Sequence, residues 1–315
     1  MSGRSFAAYG SPLFLAWQLT NRCDAACLAC CEESGPGHAW PDELGRDEAL
    51  GLARQIVALG IPCVAFGGGE PLGVPHCWDV FALLADASVA IKLETNGQHI
   101  DDAAATRLHA LGVRVQISVD GATAATHQRM RPGSSFAGAL AAIDRLAARG
   151  AAPEFVFVPT RLNLHEIVPA YDLAARHGCG AFVTGPLMRL GRAAAAWGDL
   201  ACDDAAWQQA AEALRQRAAA TGARTALSIY PWDILAELRR RLESPQAMLL
   251  VVPNGKVKLL NALPFAPADL RRESLAAAWQ KYRLAWRLPA VREFVLRCLG
   301  DPGLLRHANE TREIC

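Results

Sequence analysis

Asn21-Arg22-Cys23-Asp24-Ala25-Ala26-Cys27-Leu28-Ala29-Cys30-Cys31 follows directly on the largely apolar run Phe14 to Leu19. A strand-like run that opens into Cys23, Cys27 and Cys30 at C-x3-C-x2-C spacing puts three thiolates on one tight loop. Such a trio suits three irons of a cubane [4Fe–4S] cluster and leaves the fourth iron open, because a closed cluster takes four cysteine ligands. A structural zinc site and a chance group of buried cysteines are the alternatives. Zinc sites favour paired C-x2-C units with a matching second pair, and no second pair follows here.

Outward from this loop, apolar strand-like runs alternate with helix-like ones. The strand candidates are Phe14–Leu19, Val64–Phe66, Val89–Leu93, Val113–Val119, Phe155–Val158 and Phe182–Thr184. Helical patterns lie between them, at about Asp42–Leu59, Pro75–Leu84, Asp101–Leu111, Phe136–Arg149 and Leu164–His177. Parallel neighbours need crossover helices, so this order predicts an α/β fold with a parallel sheet. Continuous apolar strands predict a sheet buried on both faces. The polar and glycine motifs fall at strand C-termini, where parallel α/β folds place their sites. After Gly191 the pattern changes to a helix over Asp203–Ala220, a strand at Ala226–Ile229 and a helix over Trp232–Leu242. A hairpin about Pro253-Asn254-Gly255 and a helical tail over Ser274–Leu299, broken near Pro289, complete the chain.

The chain has 315 residues, 52% hydrophobic and 20% charged, with a formal charge of +1. That balance gives no case for nucleic acid or an anionic membrane as partner. Four Lys and 28 Arg make up the 32 basic residues, a ratio that follows genome composition more readily than a phosphate-binding surface. No run of eighteen apolar residues suggests a membrane span. Met1 to Gly10 lacks the pattern of a secretory signal, so a cytoplasmic, reducing setting is expected for the ten cysteines. Cys63, Cys77, Cys179 and Cys202 read as inert buried thiols.

Beyond the cysteine triplet stand Gly67-Gly68-Gly69-Glu70-Pro71, Thr95-Asn96-Gly97, Ile117-Ser118-Val119-Asp120-Gly121, His127 through Arg131 with Pro132-Gly133-Ser134, Asn163, and Gly191-Arg192-Ala193. The ordered set resembles radical S-adenosylmethionine (radical SAM) enzymes, in the branch of peptide maturases and haem d1-pathway enzymes. The resemblance implies a partial (β/α)6 TIM-like barrel over residues 11–195 and a smaller α+β extension over 196–315. It implies that Cys23, Cys27 and Cys30 ligate a [4Fe–4S] cluster. The open iron would chelate S-adenosylmethionine (SAM), whose reductive cleavage gives a 5′-deoxyadenosyl radical that takes hydrogen from a substrate. Gly67, Gly68 and Gly69 would then meet the SAM amino group, with Glu70 as an acceptor for it. Asn96 and Ser118 would bond its ribose or carboxylate, or else cap strand ends. Arg131 would pair with its carboxylate, with Arg129 as competitor. Met188 and Leu187 would flank the adenine or serve as core. Glu94 and Asp120 are open between ligand contact and arginine partner. Ala29 stands where many relatives carry an aromatic residue, and Cys31 reads as a non-ligand or a substrate-side thiol.

Met248 through Leu260 resembles the hairpin of SPASM or twitch extensions, but no cysteine lies between Asp203 and Arg297. Cys298 and Cys315 are too few for a second cluster, so one cluster is expected. Without an internal electron sink, redox-neutral rearrangement, elimination, adenosylation or epimerisation is favoured over oxidation. The implied substrate is a small metabolite or a ribosomally made peptide, and the implied reductant a flavodoxin or ferredoxin. A SAM- and cluster-binding scaffold without turnover is the alternative. His38, Trp40, Trp197, Trp232 and Asp233 are further pocket candidates.

Overall fold

The computed structural model describes residues 9–222 and 224–314. Seven parallel strands follow one another in chain order: β1 (Phe14–Thr20), β2 (Cys63–Gly68), β3 (Ala90–Thr95), β4 (Arg114–Ser118), β5 (Glu154–Phe157), β6 (Ala181–Thr184) and β7 (Ala226–Ile229). β8 (Met248–Val251) lies parallel on the other side of β1, and β9 (Lys256–Lys258) returns antiparallel to it. β10 (Phe265–Ala266) pairs apart from this sheet, while β11 (Ala268–Asp269) joins β9 antiparallel and β12 (Arg312–Glu313) pairs β10. The main sheet therefore has ten strands in the order β11-β9-β8-β1-β2-β3-β4-β5-β6-β7 and is not closed. Sheet pairing crosses residue 195, since β7 pairs β6 and β8 pairs β1.

The crossovers are helical: α1 (Arg46–Ala58), α2 (Cys77–Asp86), α3 (Asp102–Ala110), α4 (Ala124–Met130), α5 (Phe136–Ala147) and α6 (Ile167–Arg176). Then come α7 (Gly191–Ala195), α8 (Trp197–Leu200), α9 (Asp204–Thr221), α10 (Ile234–Glu243), α11 (Leu275–Ala285) and α12 (Pro289–Gly300). Leu15, Trp17, Val64, Phe66, Leu93, Ile117, Phe155 and Phe182 are buried in one core with Ile56, Phe81, Leu108, Ile143 and Tyr171 from the helices. Each large apolar side chain so buried contributes roughly 1.5–3 kcal/mol.

The strands are not apolar on both faces. Between the core residues stand Ala16, Gln18, Ala65, Gly67, Lys92, Glu94, Gln116, Ser118 and Glu154, which face the concave side. Alanine and glycine pass for apolar in β1 and β2, but in β3 and β4 the alternation of Lys92, Glu94, Gln116 and Ser118 with apolar residues stands in the sequence.

Some helices start later than expected, because local polar groups are used elsewhere. Glu43 binds the cysteine loop, so α1 waits until Arg46. Asp233 caps α10 by accepting from Ala236 N at 2.7 Å, which leaves Trp232 outside the helix. The tail divides at Leu288–Pro289, as the proline dictates. α4 was not anticipated.

Candidate active site

The cysteine loop leaves β1 at Thr20, and Glu43 ties its base. Glu43 Oε2 accepts from Thr20 Oγ1 at 2.7 Å, and Oε1 accepts from Asn21 N at 2.8 Å and Trp40 N at 2.9 Å. Three remote segments hold the rest, each approaching through a glycine. Gly69 N donates to Thr20 O at 2.7 Å, and a Cβ on Gly69 would lie 2.0 Å from Arg22 O. Ala26 N donates to Pro132 O at 2.7 Å, and a Cβ on Gly133 would lie 2.5 Å from Asp24 O. Arg192 donates from its backbone N to Cys30 O at 3.0 Å, from Nε to Cys27 O at 2.7 Å and from Nη2 to Ser34 O at 2.6 Å. A Cβ on the neighbouring Gly191 would lie 2.4 Å from Cys31 O. The glycine motifs are thus one clamp on one loop. Gly68 belongs to it too, since a Cβ there would meet Thr20 O at 2.6 Å. Protein backbone, before any ligand, already demands these glycines.

The loop covers the C-terminal ends of the strands and encloses a cavity of about 440 Å³. Small-molecule sites commonly run from about 300 to 1,000 Å³. Cys23, Cys27 and Cys30 line it with Gly67, Gly68, Gly69, Asn96, Ser118, Arg131 and Met188. Glu70 stands behind the wall. Its carboxylate, only 1% exposed as a residue, accepts from Thr95 Oγ1 at 2.8 Å, Asn96 N at 2.9 Å and Leu72 N at 3.1 Å. The acceptor anticipated for a ligand's amino group is spent on joining the ends of β2 and β3, where it positions Asn96.

Arg131 Nε donates to Asp120 Oδ2 at 2.7 Å, and Nη1 lies 3.5 Å from Cys27 Sγ. Burial works against its charge, but Asp120 and Cys27 outweigh that and hold the guanidinium more firmly protonated than usual. Asp120 is therefore the arginine's partner, while Arg129 is exposed and away from the cavity. Asn96 Nδ2 lies 3.8 Å from Cys23 Sγ. Leu187 is core, packed with Leu28, Ala29, Ala193 and Leu200, whereas Met188 is 38% exposed on the cavity rim. Burial pushes the Cys23 thiol up to about 11 and raises Cys27 as well, the latter opposed by Arg131. Metal ligation would favour the thiolate at both positions.

Cys31 also lines the cavity, and burial holds its thiol well above the usual range. Cys298 is buried in α12, and Cys315 lies outside the described residues. His38 bonds Glu33 O, Trp197 and Trp232 stack under Arg189 and Arg240, Asp233 is a helix cap, and Trp40 N serves Glu43; none of the five lines the cavity. Glu32, Gln18, Gln116 and Asn261 do line it, and carried no motif to mark them.

The residues fit a cluster and a small ligand together. The three thiols line one cavity, with Asn96 Nδ2 beside Cys23 and Arg131 Nη1 beside Cys27. Polar groups at the ends of β3 and β4 face the same space.

Fold and site define a radical SAM protein. Residues 17–174 match the radical SAM superfamily, and the chain belongs to it. Members of that family use a [4Fe–4S] cluster and SAM. Among known proteins, the chain is 35% identical over 192 residues to mycofactocin maturase MftC of Mycobacterium tuberculosis, covering 60% of this chain and 48% of that protein. It is 31% identical over 189 residues to the AdoMet-dependent heme synthase of Methanosarcina barkeri, covering 59% and 54%. The chain thus spans about half the length of the curated relatives it matches. The fold resembles that of Streptococcus suis SuiB bound to its precursor peptide SuiA, with a TM-score of 0.72 at 14% identity over 87% of this chain and 66% of that one. It also resembles anSMEcpe with bound AdoMet, with a TM-score of 0.65 at 16% identity over 87% and 82%. No described helix is long and apolar enough to cross a membrane.

Proposed function

We propose that the protein is a radical SAM enzyme of biosynthesis, with one [4Fe–4S] cluster on Cys23, Cys27 and Cys30. The observation that carries this reading is the shared cavity: the three thiols, Asn96, Ser118, Arg131 and Met188 all line it. When bound, cluster and SAM would supply radical hydrogen-abstraction chemistry toward the substrate. Arg131 places a fixed positive charge beside Cys27, which favours its thiolate and offers donors to a carboxylate. Asn96 sets a donor beside Cys23, and such contacts to sulfur tune a cluster's potential. Ser118 and Gly67 line the same space, the one with a hydroxyl and the other without a side chain. The clamp of Gly69, Gly133 and Gly191 fixes the loop.

Residues 11–195 carry the cofactor site in this reading, and 196–315 add a wall through Met248, Leu250, Leu260 and Asn261. The substrate is a small metabolite or a ribosomally made peptide, reduction comes from a flavodoxin or ferredoxin, and the setting is cytoplasmic. The lack of cysteine from Asp203 to Arg297 favours redox-neutral chemistry. Anaerobic reconstitution should give about four irons per chain and release 5′-deoxyadenosine under dithionite. Alanine at Cys23, Cys27 or Cys30 should abolish both. Cluster binding without any SAM cleavage in the wild type would refute the enzyme reading.

A further inference from the structure

Below the thiol layer the concave face holds a row that barrels do not ordinarily build. Gln18 aligns with Gly67, Glu94 with Gln116, and Gln116 with Glu154, while Phe66 pairs Leu93 one step before Gly67 and Glu94. Side chains of one register row share one level of the sheet. Barrel interiors usually fill such a level with Val, Ile and Leu. Here polar groups occupy it, and Ala16 and Ala65 beneath leave the space open.

The charges of the row are unevenly answered. Glu154 is paired with Lys92 Nζ at 3.0 Å. Glu32, on the facing wall, has Gln18 and Lys258 beside it. Glu94 receives no hydrogen bond from any described residue, and Gln116 Oε1 is buried without a partner. Gly67 leaves the Glu94 carboxylate uncovered, since a Cβ there would stand 3.2 Å from Oε2. Glu94 thus stands exposed in the cavity as a charge without a salt bridge among the described residues, and the orphaned Gln116 Oε1 beside it gives a guest a second acceptor.

We propose that this row anchors the substrate through a cationic nitrogen group, an alkylammonium or guanidinium, with Glu94 as its counter-ion and Gln116 as a second acceptor. The assignment rests on reading the cavity as the enzyme's active site. Glu94 lies two residues before Asn96 on the same strand end, roughly 7 Å at about 3.3 Å per residue. A guest held there keeps its far end under the cysteine loop, where Asn96 reaches Cys23.

The test is equilibrium binding by calorimetry to the anaerobically reconstituted protein with SAM present. The probes are butylguanidinium, butylammonium, the neutral isostere butylurea, and butyrate. Both cations should bind roughly ten- to a hundredfold tighter than butylurea, as a hydrogen bond to a charged group implies. Glu94→Gln should bring that ratio close to one while SAM binding is unchanged, and Gln116→Leu should weaken the cations by a smaller factor. Butylurea or butyrate binding as tightly as the cations would overturn the assignment. So would a preference that survives Glu94→Gln, or a loss of SAM affinity in that variant, which would put Glu94 on the cofactor. The same titration with Cys23→Ala separates this claim from the preceding one. A cation preference there, alongside a wild type that never cleaves SAM, would keep the anchor and end the enzyme reading.

Discussion

Gly191→Ala perturbs the cysteine loop from a position 160 residues further along the chain than Cys31, and its effect can be worked out against a control. Gly191 has φ +50° and Gly150 has φ +79°, so alanine at either meets the left-handed penalty of about 1–2 kcal/mol. A Cβ on Gly150 finds nothing within 4 Å, whereas one on Gly191 lies 2.4 Å from Cys31 O and 2.6 Å from Cys30 O. Both obstacles are backbone and cannot swing aside. The loop must retreat by roughly 0.6 Å merely to restore 3.0 Å, the limit real contacts respect. Overpacking of this kind costs about 1–3 kcal/mol beyond the shared penalty. At roughly 2 °C per kcal/mol, the low end for large domains, Gly191→Ala should melt about 2–6 °C below Gly150→Ala in the cluster-free protein.

The displaced groups are the carbonyls beside Cys30, so metal binding should respond more than stability does. Support shells of metal sites are worth about 10–100-fold in affinity. A chelator titration of the reconstituted protein, followed by cluster absorbance, should show a loss in that range for Gly191→Ala. Gly150→Ala should match the wild type. Equal melting temperatures and equal cluster retention in the two variants would refute the claim that Gly191 is kept for the loop.

Other expectations follow from buried polar groups. Arg131→Ala leaves Asp120, whose side chain is 2% exposed, as an unpaired buried charge, which should cost about 3–5 kcal/mol in urea unfolding. The double variant with Asp120→Ala should cost less than the two single changes added. Glu70→Gln turns an acceptor of three hydrogen bonds into a group that must point an NH2 at one of its donors, a loss of about 1–3 kcal/mol. Burial, with Arg131 adding to it, lowers His127 to about 3 from the usual 6.5. The unfolded chain then binds the extra proton first, so this contribution is full above pH 6.5 and is lost as pH falls toward 3. Between pH 8 and 5.5 the loss should be about 1.4 kcal/mol, and His127→Gln should flatten that slope. An unchanged slope in the variant would move the effect to another group.

The alternation of strands and helices was legible because crossover connections leave a long periodic signature. The cysteine spacing was legible because all three donors sit within eight residues. The role of Glu70 was not legible, for a physical reason. A carboxylate after a glycine run at a strand end serves a ligand or its own neighbours equally well, and only the bonds from Thr95, Asn96 and Leu72 decide. The concave row left no trace along the chain. Gln18, Glu94, Gln116 and Glu154 each occur once per strand at different offsets, and register alone gathers them.

The glycine motifs lie between these cases, and they show why the loop can be both bare and well placed. Residues 21 to 31 contain few large apolar side chains, so the loop cannot fix its shape by burial. Its order comes from backbone bonds with Gly35, Glu70, Pro132 and Arg192, which arrive from four parts of the chain. Close backbone approach requires glycine on the incoming side, at Gly69, Gly133 and Gly191. Each such glycine removes a side chain that would otherwise fill space, and each raises the conformational entropy that folding must overcome. An arrangement so costly in chain entropy is stable only if the strands beneath it are already paired. The cysteine loop should therefore be the last part to order during folding and the first to loosen under denaturant. Hydrogen exchange on the cluster-free protein should show the amides of Ala26, Leu28 and Cys30 opening well below the free energy of those in β2 and β3. Exchange of those loop amides at the global rate would mean that the clamp forms with the sheet and does not depend on it.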